Sequence, residues 1–373
     1  MSTDLVAPVL PAGPAVPPPD VAHVRVALLG TGAVGSAFLQ RLQGLGDRGG
    51  CRLVLVHVAN SRHAISADDG LAPAGADVAV ASSDRLSRLD DVDTALGPAG
   101  EGPRVVVDAT ASADVALRHP SWLERGIHVV TACKIASGGP LSQARYLTGA
   151  AHRGGTTYGD SATVGAGLPV LRTIRALRRG GDTILGLSGV LSGSLAWLLD
   201  RYDGTRPFGA LVEDARALGY TEPDPRVDLS GEDVRRKLLI LTRAAGASLE
   251  PEDITVEPLL ASSPPGARQA GNAVDLAAGL AASEARLAAT LAAARRDATV
   301  LRYVARWDSD GAQVGLETLG CDHPLAAASG CDNRVAIFSS RYQKTPLVLQ
   351  GPGAGPGVTA AALLDDVLRI ARA

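Results

Sequence analysis

The stretch GTGAVG, from Gly30 to Gly35, constrains the fold more than any other feature of the chain. Glycine is common here, with 43 of 373 residues, so the G-x-G-x-x-G spacing alone carries little weight. Its context carries more. The aliphatic run VRVALL precedes it, and Phe38, Leu42 and Leu45 follow at helical spacing, with Gly46 as a helix stop. A second aliphatic run, RLVLVHV (Arg52–Val58), comes at the distance a β-α-β unit requires. In such a unit Gly30 permits the tight turn, Gly32 lets a pyrophosphate approach the backbone, and Gly35 lets helix and strand pack closely. The free N–H groups at the helix start make Gly30, Gly32, Ala33, Val34 and Gly35 the expected binding loop for a dinucleotide. An acidic residue after the second strand would hold a ribose 2′-hydroxyl, but the chain reads His57-Val58-Ala59-Asn60-Ser61-Arg62. With no carboxylate there and Arg62 able to meet a 2′-phosphate, NADP is favoured over NAD.

The alternation continues through RVVVD (Arg104–Asp108), a helix closing at Trp122–Arg125, and IHVVT (Ile127–Thr131). Strands alternating with helices predict an α/β unit with a doubly wound parallel sheet. After about residue 155 the pattern changes. A basic amphipathic helix starts beside Pro169, Thr183–Leu191 reads as a strand, and helices follow around Ser194–Leu199 and Phe208–Leu218. Further strands are expected at Val300–Trp307, Val314–Leu319 and Val335–Ser340. This grouping predicts an α+β unit, an open mixed sheet covered on one face. The closing GPGAGPGVTAAALLDDVLRIARA reads as a glycine-rich loop and a helix that packs back on the first unit. The expected organisation is a flexible Pro-rich tail (1–21), a dinucleotide unit (22–155) completed by about 346–373, and a second unit (156–345).

Composition narrows the classes. A formal charge of −3 gives no electrostatic reason for a nucleic-acid or anionic-membrane partner, and no apolar run reaches membrane-span length. The N-terminus lacks the basic start and apolar core of a signal peptide. Cys51, Cys133, Cys321 and Cys331 show neither metal nor disulfide-scaffold spacing. A reducing cytoplasm fits best.

One segment is dense in reactive side chains. GYTEPDPRVDLSGEDVRRK supplies Glu222, Asp224, Asp228, Asp233 and Lys237. Pro223 and Pro225 are expected to exclude helix, and Ser230 to cap the next one in a capping box with Asp233. Asp233 and Lys237 then share a helical face at i and i+4. By itself this reads as a solvated acidic turn and a salt bridge worth about a few tenths of a kcal/mol.

The wider string GYTEPDP-R-x-D-L-S-G-x-D-V-x-R-K resembles the signature of homoserine dehydrogenases, of the type found in fungi and in bifunctional aspartokinase fusions. GTGAVGSAFL, VVVDATAS, HVVTACK, ATVGAGLPV, GVLSGSLAWLL, PLVLQGPGAG and GVTAAALLDDVLRI match the family's other motifs in order, over about residues 22–370. The resemblance implies interconversion of L-homoserine and L-aspartate 4-semialdehyde with NAD(P)(H), in threonine and methionine biosynthesis. It implies a Rossmann domain plus a catalytic, dimerising domain, hence a homodimer acting on a small molecule. It places Glu222 on the substrate amino group, Asp228 and Asp233 at acidic substrate positions, and Ser194 and Tyr220 near the substrate. Lys237 matches the lysine assigned to proton transfer, and Lys134 a second lysine beside nicotinamide and substrate oxygen. Thr110, Gly219 and Gly353 match cofactor-contacting positions. Ser161, Val164, Ala166 and Leu168 match a loop that binds a monovalent cation, such as Na+, mainly through backbone carbonyls. Three positions depart from the pattern: Val227 stands for an Asp, Cys133 for an Asn, and Ser161 for an acidic residue.

The chemistry agrees with the resemblance. Hydride addition to an aldehyde makes an alkoxide that needs an acid, which either lysine can be, and an ammonium substrate needs carboxylates. Two rivals remain: a semialdehyde dehydrogenase with Cys133 as nucleophile, and a non-catalytic NADP sensor on the same fold. Against the first, His128, five residues back on a strand, reads as structural rather than as a base, and Cys133 as a buried, inert thiol. His323, beside Cys321 and Asp322, reads as a turn rather than a metal ligand. With no preceding kinase-like stretch and no room for an appended effector domain, weak feedback by threonine is expected.

Overall fold

The computed structural model describes residues 23–45, 51–100, 102–260, 273–328 and 330–373. The expected N-terminal tail and the helix stop at Gly46 lie outside them. Chain order in the first unit is β1 (His23–Leu29), α1 (Ala33–Leu45), β2 (Arg52–Ala59), β3 (Ala64–Ser66), α2 (Ala76–Ala81) and α3 (Asp91–Leu96). Next come β4 (Arg104–Asp108), α4 (Ala113–Glu124), β5 (His128–Thr131), α5 (Leu141–Arg153) and β6 (Tyr158–Gly159). These strands form a six-stranded sheet ordered β3-β2-β1-β4-β5-β6. All its pairings are parallel except that of the edge strand β3.

A parallel sheet must be covered on both faces, and β1 meets this by alternation. Val24, Val26 and Leu28 enter one core with Phe38, Leu39 and Leu42 of α1, while Ala27 and Leu29 enter another with Trp122 and Leu123 of α4. Phe38 is wholly buried, a burial that contributes roughly 1.5–3 kcal/mol.

The second unit contains α6 (Val170–Arg179), β7 (Ile184–Val190), α7 (Gly193–Arg201), α8 (Phe208–Ala217), α9 (Pro225–Leu229) and α10 (Glu232–Ala245). After them come β8 (Ile254–Val256), α11 (Ala273–Arg296), β9 (Thr299–Asp308), β10 (Gly311–Gly320), β11 (Asp332–Ser339), β12 (Leu347–Pro352) and α12 (Pro356–Ala371). Its sheet, ordered β12-β11-β7-β9-β10-β8, is mixed, with only the β10–β8 pair parallel. Leu301, Tyr303, Val335 and Ile337 point from it into the large helical core. Val304 and Ala336, one residue out of phase, point to the other face, where Leu325 and Ala326 cover them.

As expected, the last helix returns to the first unit: Leu363, Leu364, Val367 and Ile370 of α12 join the α1 core. The residues just before it do not. Leu347–Pro352 pairs with β11 as an edge strand of the second sheet, because its backbone completes that ladder. Two local expectations are corrected in the acidic segment. Pro225 starts α9 instead of excluding helix, since its missing N–H is not needed in the first turn. Ser230 is not the cap of α10. Gly231, at φ 78°, holds that position because the left-handed turn between α9 and α10 favours a residue without Cβ. Helix α11 has no clear signal in the sequence: its long alanine tracts show no apolar stripe, although Leu280 and Leu287 are buried.

Candidate active site

The glycine loop has the geometry its spacing requires. Gly30 sits at φ 96°, and a Cβ there would lie 2.9 Å from the Ala109 carbonyl oxygen. A Cβ at Gly35 would strike the Gly30 carbonyl, whereas one at Gly32 would meet nothing within 4 Å. Thus Gly35 is a packing glycine and Gly32 leaves open space where a ligand backbone can approach. The Gly30 N–H donates to the Ala59 carbonyl at 2.8 Å, fixing the loop to the end of β2. A cleft of about 440 Å³ opens beside it, lined by Gly30, Asn60, Ser61, Thr110 and Ser112 among others. Ala33 and Val34 form the first turn of α1. Arg62 is exposed at the rim, in a turn held by Asn60 Oδ1, which accepts from the Arg62 N–H at 2.8 Å.

Thr110 leads from this cleft to a lysine. Its hydroxyl donates to Asp108 Oδ1 at 2.7 Å, and Asp108 is wholly buried. The other carboxylate oxygen accepts from the Thr131 hydroxyl at 3.0 Å and meets His119 Nε2 at 3.0 Å. Thr131 Oγ1 in turn accepts from the Cys133 N–H at 2.8 Å. The backbone that carries Lys134 is therefore tied to the cleft beside the glycine loop through one buried carboxylate. Sequence reasoning missed His119. The one available signal is an Asp at the end of a strand, which demands a buried partner.

Lys134 meets the acidic segment. Its Nζ lies 3.6 Å from Asp233 Oδ1, while Lys237 Nζ lies 2.7 Å from Asp233 Oδ2. Residues from both units thus share one carboxylate. Burial would raise the Asp233 pKa, but Lys237 and Lys134 outweigh it and hold it at about 2. The carboxylate lies in a crevice rather than the interior, since 45% of its side chain reaches solvent; the two cations, more than depth, set its state. Burial lowers the Lys134 pKa, and Lys237 pushes the same way, against the pull of Asp233. Asp233 and Lys134 respond unequally because Asp233 has several cations beside it, whereas Lys134 has one carboxylate set against burial and the cations of Lys237 and Arg236.

Lys237 also donates to the Leu191 carbonyl at 2.8 Å. An ammonium has three donors, so one remains beyond Asp233 and Leu191. The turn after Leu191 carries the next link. Ser194 Oγ donates to Asp228 Oδ1 at 2.8 Å, and the Glu222 N–H donates to Asp228 Oδ2 at 2.9 Å. The Glu222 carboxylate is exposed and has no partner among the described residues. Tyr220 stacks on Trp197 with ring centroids 5.0 Å apart. Gly219, at φ 74°, ends α8 just before it. Val227 is exposed, at 54%. Gly353 follows β12, where any Cβ would run into the buried Asn333 amide.

The loop Ser161–Leu168 is largely buried, with Ala166 left-handed at φ 51°. Ser161 Oγ donates to Asp366 at 2.9 Å and accepts from Arg172 at 2.9 Å. Among the described residues no donor is aimed at the carbonyls of Val164 and Ala166. The Leu168 carbonyl accepts from the Val170 N–H at 2.8 Å. As for the thiol rival, Cys133 is buried, and burial raises its pKa, which opposes the thiolate a nucleophile needs. His128 accepts from the Thr157 N–H at 3.0 Å and is not poised as its base.

A glycine loop on a parallel sheet, joined through shared charges to a second α+β unit, defines a two-unit enzyme of the nicotinamide-dinucleotide class. Residues 30–158 match the NAD-binding domain model of homoserine dehydrogenase, and residues 169–368 match the homoserine dehydrogenase model itself. The chain belongs to the homoserine dehydrogenase family. It is 40% identical over 369 residues to bifunctional aspartokinase/homoserine dehydrogenase 2 of Escherichia coli K12, covering 94% of this chain but only 43% of that protein. With the homoserine dehydrogenase of Saccharomyces cerevisiae it shares 34% identity, over 94% of this chain and 98% of that one. The crystal structure of a Candida auris protein of unknown function has a TM-score of 0.86 at 31% identity, covering 94% of this chain and 99% of that one. A putative homoserine dehydrogenase from Archaeoglobus fulgidus has a TM-score of 0.75 at 23% identity, covering 93% and 99%, and speaks for the fold alone. Among the described residues no helix is long and apolar enough to cross a membrane.

Proposed function

We propose that the chain is an NAD(P)-dependent homoserine dehydrogenase, reducing L-aspartate 4-semialdehyde to L-homoserine and catalysing the reverse. The observation that carries this reading is Asp233, shared between Lys134 of one unit and Lys237 of the other. A dinucleotide fits the glycine loop, where Gly32 leaves room for its pyrophosphate, with Gly30, Ala33, Val34, Gly35, Thr110, Gly219 and Gly353 around it. When bound it supplies the hydride for the carbonyl carbon. Lys237, with one donor free, delivers the proton to the oxygen that becomes the alcohol. Lys134 stabilises the same oxygen, and Asp233 helps keep the Lys134 ammonium charged while pairing with Lys237. The unpartnered Glu222 carboxylate takes the substrate ammonium, with Asp228, Ser194 and Tyr220 positioning it.

Arg62 at the cleft rim, with no acidic neighbour in its turn, supports NADP over NAD. The carbonyls of Val164 and Ala166, which no described donor reaches, support a monovalent cation, with Ser161 and Leu168 completing its loop. We assign a homodimer through the sheet face opposite the helices, where Phe338 and Val348 are only partly covered; light scattering on the purified chain tests it. The free thiols of the described cysteines support a reducing compartment, the cytoplasm, and the reaction itself supports a role in threonine and methionine biosynthesis. The decisive test is NADPH oxidation in the presence of aspartate 4-semialdehyde, with Lys237→Ala as control. Turnover by the wild type alone supports the reading. NADPH binding without turnover in either protein would replace it with the sensor reading.

A further inference from the structure

A second cavity, of about 330 Å³, lies between the two units on the far side of the Lys134 loop. Its walls come from α5, α6, α10 and the stretch after Lys134, with Ser137, Thr148, Arg175, Arg178 and Arg243 among its lining. The three guanidiniums are not equivalent. Arg175 is neutralised by Asp160 through two parallel bonds, one of 2.7 Å. Arg178 and Arg243 contact only backbone carbonyls. Arg178 donates to Ala244 at 3.0 Å, and Arg243 to Ser137, Gly139 and Leu249, each at 2.8 Å. Among the described residues neither pairs with a carboxylate. A carbonyl fixes the direction of a guanidinium without pairing its charge, and of the two only Arg243 is half-buried, with the charge of Glu250 acting on it from beyond ion-pair distance. The Ser137 hydroxyl is also buried in this wall with no hydrogen-bond partner. Two aimed guanidiniums that form no ion pair, Arg178 exposed and Arg243 half-buried, and one unused hydroxyl therefore line one cavity.

We infer that this cavity is a binding site for a small oxyanion, of phosphate or carboxylate chemistry, distinct from the candidate active site. The planar fork of arginine suits either group. Ligand pockets span roughly 300–1,000 Å³, so a cavity this size admits a phosphate ester or a short dicarboxylate. The position gives occupancy a consequence. Arg243 holds the carbonyls of Ser137 and Gly139, just beyond Lys134, so an anion against Arg243 and Ser137 adds a further anchor to the Lys134 loop.

Hydrogen–deuterium exchange of the full chain tests the site, with inorganic phosphate and succinate as probes and chloride at matched ionic strength as reference. Slowed exchange in 137–148 and 240–246 with either probe supports the site, and the probe that acts identifies phosphate or carboxylate chemistry. Phosphate bound at the dinucleotide loop would register separately, at 30–36. Arg178 is exposed, so Arg178→Glu leaves the core packing intact; it is expected to weaken the effect at 137–148 about tenfold, with Ser137→Ala acting in the same direction. Neither variant alters the response at 30–36. Protection confined to 30–36, no protection with either probe, or protection at 137–148 unchanged in Arg178→Glu overturns the inference.

Discussion

The glycine loop and the charged cluster are built on opposite plans. The loop is local: six consecutive residues, positioned by sterics, in which side chains are mostly a hindrance. The cluster is assembled from afar, with Lys134 and Asp233 brought together by the packing of two units and held by charge. A site made by backbone shape tolerates changes of charge but not an added methyl group. A site made by shared charge tolerates changes of shape but not a lost ammonium or carboxylate. Variants at each should therefore fail in different measurable ways.

The largest effect is expected at Lys237. Lys237→Ala removes the proton donor and should lower kcat by about 10²–10⁴-fold, with NADPH affinity nearly unchanged because the glycine loop is untouched. Steady-state kinetics and NADPH titration check both halves. A kcat within tenfold of wild type would move the proton-transfer role to Lys134.

Gly35→Ala probes the other plan. The new Cβ strikes the Gly30 carbonyl, and backbone gives way less readily than a side chain. The expected cost is about 1–3 kcal/mol, seen as weaker NADPH binding and a lower melting temperature. Gly32→Ala is the control: with nothing within 4 Å, it should fold normally and weaken only dinucleotide binding. Equal thermal losses in both variants would break the distinction between a packing glycine and an open one.

This contrast also explains which features are legible in the amino-acid sequence. Glycine spacing, strand alternation and the return of α12 are local or periodic, so residue order alone reveals them. Ser230 misleads because a serine followed three residues on by an acid is a cap signal that the left-handed turn at Gly231 overrides. The Asp108–His119 pair and the sharing of Asp233 leave no such trace for another reason: both depend on which strands and units become neighbours. Family resemblance supplies Lys134 as a candidate, but not the fact that its charge is held by a residue 99 positions away (233 − 134).

Asp233→Asn tests that sharing through pH. Asp233 helps keep the Lys134 ammonium protonated against burial. Its removal lets the Lys134 pKa fall further, so the alkaline limb of the kcat profile should move to lower pH. Stability carries the opposite signature. The Asp233 pKa is depressed from 3.8 to about 2 in the folded chain. Its stabilising contribution is therefore full above the unfolded value and lost as pH falls through that window. In Asp233→Asn this part of the acid-side loss should vanish. An unshifted alkaline limb would mean that Lys134 and Asp233 do not act as a pair in solution.

The smallest effect is expected at Arg62, where both plans meet: an exposed charge mounted on a turn that the backbone fixes. Asn60 Oδ1 accepts from the N–H groups of Arg62 and His63, each at 2.8 Å, so the turn survives loss of the arginine side chain. Arg62→Ala should therefore leave folding and the NADH reaction unchanged and raise KM for NADPH by roughly tenfold, the size of one solvent-screened charge contact with a phosphate. The effect should shrink with added salt, because an exposed pair is screened where a buried one is not. A KM that rises equally for both cofactors would show that the rim acts through turn shape, placing it with the glycine loop. A rise confined to NADPH places it with the charges, and makes the 2′-phosphate preference adjustable without touching the glycines.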